Sequence, residues 1–134
     1  MGCRIRESFV KQTFMATLGA SLASVEPGEV VIELGYSEAL AQQNGFLHAG
    51  VTTAVVDSAC GYAALSLMPE GSDVLSVEFK VNLMAPAAGS RFRAVGRVVK
   101  SGRTLTVCQG EMVALDSGKT VALMTATMIA VARP

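Results

Sequence analysis

Asp57 is the side chain of this 134-residue chain that stands out as a candidate for chemistry. It carries the only formal charge in the stretch LHAGVTTAVVDSACGYAALSLM, from Leu47 to Met68. A carboxylate in such apolar surroundings must be hydrogen-bonded or paired, or its pKa must rise because the charged form is poorly solvated. Such carboxylates are frequent at functional sites, but structural ion pairs produce them too. Composition alone does not decide between two roles for Asp57, a catalytic group and a structural carboxylate bonded to a neighbouring strand.

The residues around His48 form a second group of candidates. His48 lies nine positions before Asp57 and directly before residues 49–67, whose length and Ala and Gly content predict a buried helix. The first N–H groups of that helix, at Ala49 and Gly50, lack partners within it and lie at the positive end of its macrodipole. We therefore predict an oxyanion-binding site at the helix start, which together with Asp57 would suit acyl transfer or hydrolysis.

The other segments predict the sheet against which this helix packs. An amphipathic helix over residues 1–20 precedes a turn at Pro27-Gly28. Alternating residues and turn signals predict five strands, over residues 29–36, 74–84, 91–100, 104–115 and 120–132. The order of helix, strand, long helix and four antiparallel strands is that of a single α+β domain covering residues 1–134.

Two of these strands carry patterns that indicate their surroundings. In residues 74–84 the odd positions from Leu75 to Leu83 are apolar and the even positions from Ser76 to Asn82 are polar, which predicts one buried and one polar face. Residues 120–132 are apolar on both faces. That pattern is typical of a central strand or of a strand at an oligomer interface.

Composition argues against several kinds of partner and favours an oligomer. Hydrophobic residues make up 51% of the chain and charged residues 16%, so we expect at least a dimer that hides apolar surface. The formal net charge of zero argues against a nucleic-acid partner. Residues 51–68 approach the length of a membrane span, but Asp57 and small polar residues within them argue against membrane insertion.

The cysteines predict a reduced protein without a metal centre. Cys3, Cys60 and Cys108 are odd in number and show no C-x-x-C spacing, which argues against a disulfide framework and a zinc site. Cys60 lies in the apolar helix, where we expect it to serve as a small core residue. This cysteine usage predicts a cytoplasmic location.

Three stretches of the chain together resemble one protein family. NGFLHAGVTTAVVDSACGYAA, LSVEFKVNLMAPA and KSGRTLTVCQGEMVA are similar to the helix, the next strand and the next hairpin of hotdog-fold thioesterases of the phenylacetate-degradation (PaaI-like) type. The resemblance implies a long central helix wrapped by an antiparallel β-sheet, and hydrolysis of an acyl-CoA thioester. It also implies a homodimer or a homotetramer built as a dimer of dimers. No metal or other cofactor is implied, because coenzyme A enters only as part of the substrate.

The resemblance assigns catalytic roles to particular residues. Asp57 matches the nucleophile or general base, and the backbone N–H of Ala49, with Gly50 as a second donor, matches the group that polarises the thioester carbonyl. Gln42 stands where many relatives have Asn, and it would position a reactant through its amide. Ser76 matches a hydroxyl residue that in some relatives reaches the site from the facing subunit.

Five further residues have roles with open alternatives. His48 is a candidate general acid or base, whereas its family equivalent shapes the loop by hydrogen bonding. Arg97, Lys100 and Arg103 would bind the phosphates of coenzyme A, or they carry ordinary surface charge. Asn44, in the polar connection before the long helix, is a further candidate for substrate binding.

Two rival functions use the same fold. A non-catalytic acyl-ligand binder would need an apolar cavity but no carboxylate, so Asp57 argues against it. A hotdog hydratase or dehydratase would pair a histidine with an acidic residue in a motif that this chain lacks. Release of free thiol from acyl-CoA separates a hydrolase from a binder, and hydration of an enoyl-CoA without thiol release indicates a hydratase.

Overall fold

A six-stranded antiparallel sheet and one long helix form the body of the protein. The computed structural model describes residues 2–134, and Met1 lies outside the described residues. The helices are α1 (Gly2–Lys11), α2 (Thr13–Leu18) and α3 (Ala49–Leu65). The strands are β1 (Ser21–Glu26), β2 (Glu29–Gly35), β3 (Ser72–Leu83), β4 (Arg91–Ser101), β5 (Leu105–Ala114) and β6 (Thr120–Ala132). They are ordered β1-β2-β4-β5-β6-β3 across the sheet.

The long helix α3 packs closely on one face of the sheet because two strands carry glycine at the contact. α3 contacts every strand from β2 to β6. A Cβ atom at Gly96 of β4 would overlap with the backbone carbonyl of Ala59. At Gly110 of β5 it would lie 2.6 Å from the side chain of Val56 and 2.7 Å from Cys60 Sγ. Any larger residue at either position would push α3 off the sheet.

The α+β prediction is confirmed, and so are the long helix and all five predicted strands, to within two residues at either end. β6 lies between β5 and β3, so it is an interior strand of the sheet, as its two apolar faces indicate. β1 is a strand that the sequence did not predict. It lies at the edge of the sheet, and a register shift between Leu22 and Ser24 leaves its two half-buried apolar residues, Leu22 and Val25, three positions apart, so its sequence shows no two-residue period.

The prediction of one N-terminal helix is wrong, because the chain breaks between α1 and α2. Gln12 has an extended backbone, with φ −80° and ψ 92°. Its side-chain Nε2 donates to the Tyr62 hydroxyl at 2.9 Å, and its Oε1 accepts from Ser58 Oγ at 3.2 Å. Both partners belong to α3. The break at Gln12 therefore coincides with contacts to residues distant in sequence, which the apolar periodicity of residues 1–20 cannot reveal.

A bulge in β3 changes which side chains face α3. The register of β3 with β6 shifts between Ser76 and Glu78. Ser76 lies opposite Met128 before the shift, and Phe79 lies opposite Ala126 after it. Because both partners are buried and opposed residues share a face, Ser76 and Phe79 lie on the same side of the sheet. The predicted uniform alternation is therefore wrong, since the bulge moves Ser76 to the side of α3.

Arg4 ties α1 to the C-terminal end of α3. Its guanidinium donates to the carbonyl oxygens of Leu65 at 2.8 Å, Pro69 at 2.9 Å and Met68 at 3.1 Å. These carbonyls end or follow α3, where a cation is favoured by the negative end of the helix dipole. None of the helices in residues 2–134 is both long enough and apolar enough to cross a membrane.

Candidate active site

His48 caps the N-terminus of α3 and leaves one N–H group free. Its Nδ1 accepts a hydrogen bond of 2.8 Å from the N–H of Gly50. The carbonyl of His48 accepts from the N–H groups of Val51 at 2.9 Å and Thr52 at 3.3 Å. The N–H of Ala49 has no acceptor anywhere in residues 2–134. A single free donor therefore lies at the positive end of the α3 dipole.

The hydrogen bond between the Gly50 N–H and His48 Nδ1 decides between the roles that the sequence predicts for these two residues. Because Nδ1 of His48 is an acceptor, the proton of the neutral ring lies on Nε2, and the ring serves to shape the helix start. The N–H of Gly50 is already bonded to His48, so it is not available as the second oxyanion donor that the sequence predicted. Ala49 alone keeps a donor available for a substrate.

Gln42 orders the loop that leads into α3. Its Oε1 accepts hydrogen bonds from the N–H groups of Asn44 and Phe46. The oxygen is used within the loop, so the amide N–H groups are what Gln42 offers to a reactant. Gln42 and Ala49 line one cleft of about 550 Å³, the helix-start cleft, whose other walls come mainly from residues 83–87. Asn44 is exposed and does not line this cleft.

Asp57 lies in a different cleft, between α1, α3 and β3. This carboxylate cleft has a volume of about 390 Å³, and its lining includes Ser8, Gln12, Asp57, Tyr62 and Ser76. The Asp57 side chain is half-buried, and burial raises the pKa of its carboxyl group. Ser76 Oγ donates to Asp57 Oδ1 at 2.7 Å, which lowers that pKa by a smaller amount.

The bond with Ser76 leaves the second carboxylate oxygen of Asp57 unpaired. Oδ2 accepts no hydrogen bond from any of residues 2–134, so it is available to take a proton or to attack a carbonyl. Ser76 reaches Asp57 of its own chain, whereas the matching hydroxyl of some relatives comes from the facing subunit. The bulge in β3 makes this possible, because it turns Ser76 toward α3.

Within one chain, the free N–H and the free carboxylate oxygen are too far apart to act on one thioester. Ala49 and Asp57 are eight positions apart on α3, which is about 12 Å along the helix axis. A reacting carbonyl needs its oxygen about 3 Å from the donor and its carbon roughly 3 to 3.5 Å from the attacking oxygen. The helix-start cleft contains Ala49 without Asp57, and the carboxylate cleft contains Asp57 without Ala49.

The basic residues predicted to meet coenzyme A lie outside both clefts. Arg97 forms ion pairs with Glu29 at 3.0 Å and Glu111 at 3.5 Å. Lys100 is exposed at the end of β4, and Arg103 is exposed in the turn that follows. Since none of the three basic side chains lines either cleft, their contact with a substrate stays a prediction.

The buried cysteines are poor nucleophiles. Cys60 is fully buried in α3, as predicted for a small core residue, and burial raises the pKa of its thiol far above the ordinary range. Burial also raises the pKa of Cys108 to about 11. Neither thiol ionises at neutral pH, so neither is a candidate nucleophile. No group of three or more His, Cys, Asp or Glu side chains in the described part of the chain could hold a metal ion.

Sequence reasoning missed three residues beside Asp57. Gln12, Ser58 and Tyr62 line the carboxylate cleft, and Gln12 is hydrogen-bonded to both of the other two. Ser58 and Tyr62 are four positions apart on α3, and that spacing could have placed them on one face. No pattern in the sequence signals Gln12, because its position depends on the break between α1 and α2.

One family model and several known proteins match most of this chain. Residues 44–121 match the model of the thioesterase superfamily. A thioesterase family protein from Silicibacter pomeroyi is 52% identical, with a TM-score of 0.93 over 96% of each chain. Acyl-coenzyme A thioesterase 13 of Homo sapiens is 30% identical over 83% of this chain and 80% of its own. The PaaI protein of E. coli has the same fold at 20% identity, with a TM-score of 0.87 over 97% of this chain and 93% of its own.

Proposed function

Because this chain belongs to the thioesterase superfamily, we propose that it hydrolyses an acyl-CoA thioester to a free acid and a thiol. The matches confirm the predicted family, the hotdog fold and the class of enzyme, a thioester hydrolase. The observation that carries the finer proposal is the Asp57 carboxylate, which is half-buried, held through Oδ1 by Ser76 and free at Oδ2 within a cleft.

Asp57 acts on the thioester by one of two routes, and the geometry suits both. As a general base, Oδ2 takes a proton from a water that attacks the carbonyl carbon. As a nucleophile, Oδ2 attacks that carbon directly, and water then hydrolyses the resulting anhydride. In either route the C–S bond breaks and the thiol leaves, while the Ala49 N–H donates to the oxygen that becomes negative. Gln42 orients the reactants through its amide N–H groups.

The gap between Ala49 and Asp57 is closed when two chains share each site. In a two-fold dimer, one chain supplies the Asp57 carboxylate of a site and Ala49 of the partner subunit supplies its N–H donor. The exchange is reciprocal, so the dimer has two equivalent sites. A single chain has no complete site in this arrangement.

The exposed edge of the sheet supports such a dimer. β3 is an edge strand of 12 residues, which leaves a row of backbone N–H and C=O groups without partners. Apolar side chains along it are exposed, among them Leu75 at 59%, Val77 at 53% and Leu83 at 54%. Pairing of β3 with β3 of a second chain would satisfy the edge and bury these side chains. A tetramer of two such dimers stays a prediction.

Release of free thiol from a panel of acyl-CoA esters tests the proposed activity. We expect thiol release with no added metal or other cofactor, by a species that light scattering shows to be a dimer or larger. Binding of acyl-CoA without thiol release would support the non-catalytic rival instead. A stable monomer with full activity would contradict the shared site. A cytoplasmic location and the absence of nucleic-acid and membrane partners stay predictions.

The pH dependence of the reaction should report the Asp57 carboxyl group. The rate requires the ionised form, so kcat/KM should fall as pH drops through the raised pKa of Asp57. Because the Ser76 hydrogen bond lowers that pKa, Ser76→Ala should move the acidic limb of the profile to higher pH. An acidic limb that stays in place or moves to lower pH in Ser76→Ala would show that Asp57 is not the titrating group.

A further inference from the structure

The Ser76 hydroxyl that holds Asp57 lies within hydrogen-bond distance of a second acceptor. Its oxygen is 2.7 Å from Asp57 Oδ1 and 3.3 Å from the sulfur of Met128. A hydroxyl group has a single hydrogen, so it donates to one of these two acceptors at a time. Rotation about the bond between Cβ and Oγ of Ser76 exchanges one acceptor for the other while the oxygen stays in place.

The sheet register places Met128 at this contact. Met128 of β6 lies opposite Ser76 of β3, directly before the bulge, and its side chain is fully buried. A thioether sulfur is a weak acceptor, and methionine serves mainly to fill gaps in a core. None of the other methionine sulfurs in residues 2–134 accepts a hydrogen bond from a side chain. Met128 therefore has a polar contact in addition to its packing.

The charge of Asp57 decides how strongly it competes with Met128 for the Ser76 hydrogen. A hydrogen bond to an ionised carboxylate is about twice as strong as one to a neutral group, so Ser76 donates to the ionised Asp57. Both proposed routes remove this charge, because Oδ2 bonds either to a proton or to the acyl carbon. Oδ1 then belongs to a neutral group and is a weaker acceptor. The bond from Ser76 thus favours the unreacted carboxylate and opposes the reaction.

We propose that Met128 is a positioning residue for catalysis, whose sulfur accepts the Ser76 hydrogen while Asp57 is neutral and gives it back when the carboxylate is restored. This inference rests on the proposed thioesterase function, because it follows the charge of Asp57 through turnover. Only hydrogen bonds change in this exchange, since the hydrogen stays covalently bound to the Ser76 oxygen. Met128 keeps the Ser76 hydroxyl paired at the stage when Asp57 no longer holds it.

The other ionisable groups near Asp57 are not part of this exchange. They are Lys11 of α1, Cys60 and Tyr62 of α3, Asp73 of β3 and Cys108 of β5. None of these five is a hydrogen-bond partner of Asp57 or Ser76, and β6 has no ionisable residue. A change in the pH profile that requires the Ser76 hydroxyl therefore reports on Asp57.

Met128→Leu tests the proposal through the pH profile of kcat/KM. Leucine has a volume similar to that of methionine, so the core stays filled while the acceptor is lost. The neutral form of Asp57 loses the partner that Met128 offers to Ser76, and the ionised form keeps its own bond. The pKa of Asp57 should therefore fall and the acidic limb should move to lower pH, by about half a pH unit, which is about threefold in the ionisation constant. This direction is opposite to that expected for Ser76→Ala.

Two further variants separate the loss of the acceptor from a change in packing. Met124→Leu is the matched control, because Met124 is also a buried residue of β6 but does not contact Ser76. It should keep the wild-type acidic limb. The double variant Ser76→Ala with Met128→Leu should have the same acidic limb as Ser76→Ala alone, because no hydroxyl is left to turn. A melting temperature for each variant identifies loss of fold.

The methyl resonance of Met128 gives a second measurement, which needs no turnover. Methionine labelled at the methyl carbon is incorporated into the protein, and the resonance missing from Met128→Leu is that of Met128. We expect this resonance to shift as pH passes through the pKa of Asp57, because the Ser76 hydrogen reaches the sulfur when Asp57 takes a proton. Most of the shift should be lost in Ser76→Ala.

Two results overturn the proposal. One is an acidic limb that stays at the wild-type pH or moves to higher pH in folded Met128→Leu. The other is a pH-dependent shift of the Met128 methyl resonance that Ser76→Ala leaves intact. Failure of the thioesterase function is a different result, in which the wild-type protein releases no thiol while the methyl resonance still reports whether Ser76 turns to Met128.

Discussion

Asp57→Asn is expected to lower kcat for acyl-CoA hydrolysis by about a hundredfold or more while the protein stays folded. Asparagine has the shape of aspartate, and its Oδ1 can still accept the hydrogen bond from Ser76. It can neither take a proton from water nor attack a carbonyl, so both proposed routes lose their reactive group. Thiol release under saturating substrate measures the effect.

The stability of Asp57→Asn separates chemistry from folding. The pKa of Asp57 is raised in the folded protein, so folding is weakened as pH rises through that pKa and the group ionises. A neutral asparagine avoids this loss, and the melting temperature at neutral pH should not fall. Glu70→Gln, which removes an exposed carboxylate after α3, is the matched control and should keep full activity. Thiol release at the wild-type rate by folded Asp57→Asn would remove Asp57 from the mechanism.

Ala49→Pro is expected to lower kcat by about a hundredfold, because it removes the one free N–H donor at the start of α3. Proline is well tolerated at the first position of a helix, where no N–H is needed for the helix itself. His48 before it has φ −61° and ψ 140°, a conformation that a residue before proline readily adopts. The change therefore deletes a donor with little cost to the fold.

Ala49→Gly is the control for this variant, since it also changes the side chain but keeps the N–H. We expect Ala49→Gly to retain most of the activity and Ala49→Pro to lose it at a similar melting temperature. Equal activity of the two variants would show that the backbone N–H of residue 49 does not stabilise the reaction. The proposed oxyanion site would then have to be placed elsewhere.

The central helix and its two reactive positions could be predicted because local sequence determines them. The apolar run of α3 contains a single charge, and its start after His48 leaves the N–H groups of Ala49 and Gly50 without a partner inside the helix. What the sequence could not show was how the donors are used. The Gly50 N–H is taken by a side chain two residues away, and that bond depends on the rotamer of His48.

Other features were missed because contacts distant in sequence decide them. The break at Gln12 accompanies hydrogen bonds to Ser58 and Tyr62, which are 46 and 50 positions further along the chain. The bulge in β3 is seen in its register with β6, and it reverses the predicted orientation of Ser76. β1 pairs with β2 at the edge of the sheet, and the shift in that register between Leu22 and Ser24 interrupts the alternation that would have revealed the strand.

A shared site between two chains is the central claim, and mixed dimers test it most directly. Asp57→Asn and Ala49→Pro chains carrying different tags are co-expressed, and dimers containing both are isolated. Each mixed dimer would have one site with an intact carboxylate and donor and one site with neither. We predict that these dimers recover about half of the wild-type rate per dimer, although each variant alone is nearly inactive. Mixed dimers as inactive as the two parent variants would contradict the claim, because they would show that Asp57 and Ala49 act within one chain.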